Sequence, residues 1–221
     1  MNRSDYLRST PFLDFESETI KSYLEGVTLV PNEREMAIIL YEKVRDDFLY
    51  DPYHLDLRES AMKASVVVNK KRAWCVEKAV LLAACLRSVG IPSRLGFAIV
   101  TNHIGVERLV KYLRKEEIVF HGYVEVFLSE KWVKCTPAFD QRVCRLSGVD
   151  VLEWDGVHDS MFQAYDRKNQ RFMEYKHFYG EFEDLPIRLM HQEMKKHYPH
   201  LFEGAWNQKE FSFFHSSQLT D

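Results

Sequence analysis

Trp74-Cys75-Val76-Glu77-Lys78-Ala79-Val80-Leu81-Leu82-Ala83-Ala84-Cys85-Leu86-Arg87-Ser88-Val89-Gly90-Ile91-Pro92-Ser93-Arg94 joins a reactive residue type to a well-punctuated helix. From Val76 the apolar positions fall at Ala79, Val80, Ala83, Leu86 and Val89, the three- and four-residue spacing of a helix that buries one face. Leu82 widens that face, so the helix is largely internal. Gly90 supplies a left-handed stop and Pro92 prevents continuation, which places the start near Cys75. A cysteine there has free backbone N–H groups and the positive end of the macrodipole beside its sulfur, and both favour thiolate over thiol. Cys75 is the candidate nucleophile; the plainer reading is a small apolar residue packed at a helix end. Cys85, mid-helix among alanines and leucines, reads as core.

Working outward, Ser17 is a candidate cap for a short helix carrying Ile20, Tyr23 and Leu24 inward and ending at Gly26, after an irregular arm over residues 1–16. A second helix begins after Pro31 and Asn32 and runs to about Phe48, with Met36, Ile39, Leu40 and Val44 at helical spacing. Val44 to Tyr53 turns into an extended aromatic loop, Glu59 to about Val68 suggests a further turn or two of helix, and Asn69 to Arg72 leads into Cys75. On the other side, Arg94 to Val100 reads as a strand. Gly105 to Lys115 reads as a short helix or a lid, with Val106, Leu109, Val110 and Leu113 helically spaced. Ile118 to Leu128 is a second strand, with Val119, His121, Tyr123, Glu125 and Phe127 on one side and Phe120, Gly122, Val124, Val126 and Leu128 on the core side. A tight turn at Ser129–Lys131 returns Trp132 to Thr136 as its antiparallel partner, and Pro137 ends the pairing.

Beyond this, Gln141 to Gly148 reads as a short helix, and the segments around Met161 to Tyr165 and Phe172 to Tyr175 as further strands. Leu185 to Tyr198 reads as a helix with Asp184 as cap candidate and Pro186 in its first turn, burying Leu189 and Met190. Past Leu201 lies a polar extension with isolated aromatics. The fold class expected is α+β: one domain over 1–221, with a core at about 34–145, an N-terminal helical arm and a C-terminal extension.

The 221 residues, 46% hydrophobic and 29% charged, suit one substantial core. The net charge is −3 with the two signs interspersed, which argues against nucleic acid as a partner. The first residues lack the apolar core of a signal peptide and no run approaches bilayer length, so no membrane is expected and the location expected is cytoplasmic. The four cysteines, at 75, 85, 135 and 144, follow no disulfide framework, and free thiols are expected. No Cys-x-x-Cys, finger-spaced His, His-Glu-x-x-His or glycine-rich phosphate loop is present, so neither metal nor organic cofactor is expected. The sequence does not set the oligomeric state.

A catalytic thiol needs a base on a rigid element. Among nine histidines His121 is placed best, early on a strand and opposite the apolar row; His103, in the loop after the preceding strand, is the rival.

Cys75 with its helix closing at Leu86-Arg87-Ser88-Val89-Gly90-Ile91-Pro92-Ser93-Arg94, then His121-Gly122-Tyr123-Val124-Glu125-Val126, then Trp132 on a strand, resembles the transglutaminase-like superfamily of papain-like cysteine enzymes. The resemblance spans about residues 40–145, and Val44-Arg45-Asp46 and Thr136-Pro137-Ala138-Phe139-Asp140 resemble bacterial members. It implies a cysteine helix packed on an antiparallel sheet, with Cys75 as nucleophile, His121 as base and Asp140 orienting the imidazole. It further implies acyl transfer or amide hydrolysis on a protein or peptide through a thioester, or, as the alternative, a silent domain kept for protein binding. Two departures stand out. The family usually has a small residue before the cysteine, where this chain has Trp74. Its acid commonly lies four residues after the strand tryptophan, where this chain has Thr136, so Thr136 and Asp140 both stand as candidates, and Asp140 also reads as a cap for the Gln141 helix.

Overall fold

The computed structural model describes residues 3–28, 30–103, 107–162 and 166–202. Its helices are α1 (Glu18–Leu24), α2 (Glu33–Asp47), α3 (Ala64–Val67), α4 (Cys75–Ser88), α5 (Glu107–Leu113), α6 (Gln141–Ser147) and α7 (Ile187–His197). The strands are β1 (Leu49–Tyr50), β2 (Arg72–Ala73), β3 (Ser93–Asn102), β4 (Glu117–Leu128), β5 (Lys131–Cys135) and β6 (Met173–Phe182). The last four form one antiparallel sheet in the order β5-β4-β3-β6. The molecule is thus the expected α+β fold. Among the described residues no helix is long and apolar enough to cross a membrane.

Helix α4 is the axis of the core: every residue from Cys75 to Arg87 is buried. Its N-terminus has half a capping box, since the Glu77 carboxylate accepts the Trp74 N–H at 3.2 Å while the Trp74 side chain offers no acceptor in return. Lys70 neutralises Glu77. The C-terminus is a Schellman motif: Gly90 has φ 83, its N–H reaches the Arg87 carbonyl, and the Ile91 N–H reaches that of Leu86, both at 3.0 Å. Both ends therefore fall where Cys75 and Gly90 set them.

Helix α2 starts as expected, with Asn32 capping the Glu35 N–H at 3.1 Å. The expected loop from Val44 to Tyr53 instead contains β1, which pairs in parallel with β2 and so brings Tyr50 opposite Ala73, two residues before Cys75. A two-residue pairing carries no alternation for a sequence reading to detect. Strand β6 runs well past the expected Tyr175, because as an edge strand it alternates poorly between its faces. Asp184 does not cap α7; Pro186 occupies that position. Strand β4 is buried on both faces from Val119 to Val126 rather than on one. Of the expected elements, Gly105 and Val106, Gln163 to Tyr165, Met1 and Asn2, and the extension from 203 onward lie outside the described residues.

Candidate active site

Cys75 is the first residue of α4 and is 2% exposed. The strand beside it is β4 at Gly122: a Cβ on that glycine would sit 3.0 Å from the Val76 Cα and 3.2 Å from the Cys75 carbonyl oxygen, so only glycine lets strand and helix end approach this closely. The approach turns the Gly122 N–H toward the Cys75 sulfur, together with the N–H groups of Val76 and Cys75 itself. Burial outweighs these donors and pushes the thiol up to about 11. The expectation of a resting thiolate is thus corrected: the helix terminus acts in the foreseen direction, but removing the sulfur from water costs more.

His121, the residue before Gly122, is 2% exposed and burial pushes its imidazole down to about 3, so it is neutral. Its Nε2 is buried with no hydrogen-bond partner. The ring sits 5.2 Å from that of Phe162 and 6.1 Å from that of Tyr175, which accounts for the desolvation.

A β-bulge places it there. His121 pairs with Ala98 and Ile118 with Val100, so Ile99 alone faces both Val119 and Phe120, and Phe120 takes φ 65. Beside the bulge, the hydroxyl of Tyr198, one residue past α7, accepts the Val119 N–H at 2.8 Å and donates to the Glu117 carbonyl at 2.7 Å. Sequence reading missed this tie, since nothing local to β4 announces a partner 79 residues away.

Asp140 is brought to a different task. One carboxylate oxygen accepts the Arg142 and Val143 N–H groups at 2.8 and 3.2 Å, capping α6, and the other accepts the Tyr50 N–H at 2.6 Å. It makes no hydrogen bond to His121. The carboxylate thus caps α6 and adds a grip on β1. Thr136 is buried, with its hydroxyl 3.7 Å from the Met161 sulfur, and the Tyr175 hydroxyl is directed toward its side chain. His103 faces Glu174 at 3.7 Å and does not line the cavity that His121 reaches. Cys85, Cys135 and Cys144 are buried free thiols, and among the described residues no group of three or more His, Cys, Asp or Glu side chains is arranged to hold a metal ion.

That cavity has a volume of about 350 Å³. Its wall beside His121 is aromatic: the Phe139 ring packs in tilted contact 4.7 Å from that of Tyr50 and 4.6 Å from that of Phe162. Residues such as Phe162 were invisible as site residues in the sequence because their role depends on where an irregular segment is laid. The arrangement sets a buried thiol at a helix end, against the strand glycine that follows a neutral imidazole, and that imidazole lines an aromatic recess which Cys75 itself does not line.

A family model described as the transglutaminase-like superfamily matches residues 21–137, a little over half the chain. A solved structure from Cytophaga hutchinsonii, described as a "putative cysteine protease", matches at 12% identity with a TM-score of 0.45, over 80% of this chain and 53% of that one. The chain thus spans about half the length of that structure. No curated protein matches.

Proposed function

Because the chain belongs to the transglutaminase-like superfamily, in which papain-like cysteine enzymes share this α+β core, we propose that it cleaves or transfers acyl groups of protein or peptide amides, with Cys75 as nucleophile and His121 as base. The observation that supports this most is the neutral His121, its Nε2 unpartnered, on the residue before the glycine whose N–H faces the Cys75 sulfur. The thiol proton passes to His121 as sulfur bonds to the carbonyl carbon, and the carbonyl π pair moves onto oxygen. The Cys75 backbone N–H stabilises that oxyanion. When the intermediate collapses, the C–N bond breaks and the imidazolium returns its proton to the leaving ammonia or amine, leaving a thioester. Water or a second amine then attacks, again losing a proton to His121, and the C–S bond breaks to restore the thiol. Asp140 supports this pair indirectly, by fixing α6 and β1 in the cavity wall.

The buried neutral pair, with no carboxylate bonded to the imidazole among the described residues, favours one other reading, a silent domain that binds protein. Alkylation decides between them. A buried thiol without a base reacts only as pH approaches about 11; one served by His121 reacts with iodoacetamide well below its own titration. Peptide mapping should find Cys75 labelled ahead of Cys85, Cys135 and Cys144 at pH 7, and His121→Asn should slow that labelling about a hundredfold, the usual weight of a general base. Equal labelling of all four, or a Cys75 rate indifferent to His121→Asn, removes the catalytic reading.

A further inference from the structure

The mouth of the cavity is unlike its floor. Around His121 the wall is aromatic, whereas the outer lining carries Arg72, Arg108 and His54 with a single carboxylate, Asp51. Asp51 is already committed. It is 5% exposed, one oxygen accepts the Tyr53 and His54 N–H groups at 2.9 and 3.3 Å, and the other meets the His54 ring at 2.7 Å with Arg72 3.6 Å away. The same Asp-x-x-His turn recurs at Asp155 and His158, but there both residues are on the surface, so the turn alone makes no site. What sets the first apart is the neighbouring Arg108, whose guanidinium lies 4.9 Å over the Tyr53 ring. No carboxylate pairs with Arg108 among the described residues. A guanidinium resting on an aromatic ring can still offer N–H groups to an anion.

We infer that the cavity takes an acyl donor bearing a carboxylate next to an apolar or aromatic group, with Arg108, aided by Arg72, as the determinant of that preference. The aromatic wall receives the apolar part and the Arg108 guanidinium the anion, which orders the donor across the recess. This rests on the cavity being the acyl-donor site, and it concerns binding alone.

The test uses calorimetry on Cys75→Ala with three probes: hippurate, which carries a terminal carboxylate; N-benzoyl-aspartate α-amide, which carries a side-chain one; and neutral hippuramide. At least one acid should bind about tenfold more tightly than the amide, as expected for one charge-assisted bond. Whichever acid is preferred shows whether a chain terminus or an acidic side chain is read. The preference should vanish in Arg108→Gln and survive in Arg108→Lys in weakened form. Equal binding of all three, no binding of any, or a preference untouched by both Arg108→Gln and Arg72→Gln overturns the inference. None of these outcomes depends on whether Cys75 is nucleophilic, so a failed alkylation experiment and a failed binding experiment remain distinct.

Discussion

At Asp140 one carboxylate serves three backbone donors on two elements, and this arithmetic decides what its removal does. Asp140→Ala loses the cap of α6, costing about 1 kcal/mol. It also strands the Tyr50 N–H, which adds about 1–3 kcal/mol if water cannot reach it. Asn caps nearly as well as Asp, so Asp140→Asn should unfold within about 1 kcal/mol of the parent and leave Cys75 alkylation unchanged. Urea unfolding and labelling on the two variants check this. A large loss of reactivity in Asp140→Asn at unchanged stability would restore the residue as the partner of the imidazole.

The elements show which parts of a site a sequence exposes. Helix α4 was legible because its signals are local: Cys75 at a start, Gly90 and Pro92 at a stop, apolar residues between. Strand β4 and His121 were legible through alternation. The bulge at Phe120 was not, because Phe has no preference for φ 65 and adopts it only where tertiary packing imposes it. Equally hidden was the Tyr198 hydroxyl, with which the end of α7 reaches the residues before His121. Tyr198→Phe removes one oxygen and keeps the ring, so the Val119 N–H and Glu117 carbonyl lose their partner while the packing remains. The expected result is a loss of about 1–3 kcal/mol, together with a Cys75 alkylation rate that falls as it does in His121→Asn. A variant that loses the stability but keeps the reactivity would show that the bulge holds His121 without the hydroxyl. The cavity wall was illegible for a related reason: Tyr50, Phe139 and Phe162 come from a two-residue strand and two irregular stretches, whose paths follow from tertiary contacts alone.

On the scale of the whole molecule, α4 lies so deep that its polar side chains are buried with it, and each is bound. Arg87 donates to the carbonyls of Ser93, Arg8 and Glu183, joining the N-terminal arm, the start of β3 and the segment after β6. Lys78 donates to the Arg45 carbonyl at 2.8 Å, and burial holds its ammonium down to about 8. Such burial gives the fold a stability that depends on pH in a definite way. His121 titrates near 3 when folded and near its ordinary 6.5 when unfolded, so between those values the unfolded chain binds the extra proton and stability falls as pH falls. At the alkaline end Cys75, Cys85 and Cys144 are pushed up to about 11, 12 and 11, so the unfolded chain loses their protons first and stability falls as pH rises beyond about 9. Lys78 opposes this between about 8 and its ordinary 10.5, where the unfolded chain binds the extra proton. The acid limb is the cleaner test. Glu77 and Asp184, which burial pushes up, act in the opposite sense above their ordinary values, but they act equally in a variant that lacks only the imidazole. From pH 6 down to 5, urea unfolding of the parent should therefore lose stability faster than that of His121→Gln, by up to about 1.4 kcal/mol per pH unit, the linkage of one proton. Parallel profiles would mean that water reaches the ring in the folded state, and the dry neutral base on which the proposed chemistry relies would not exist.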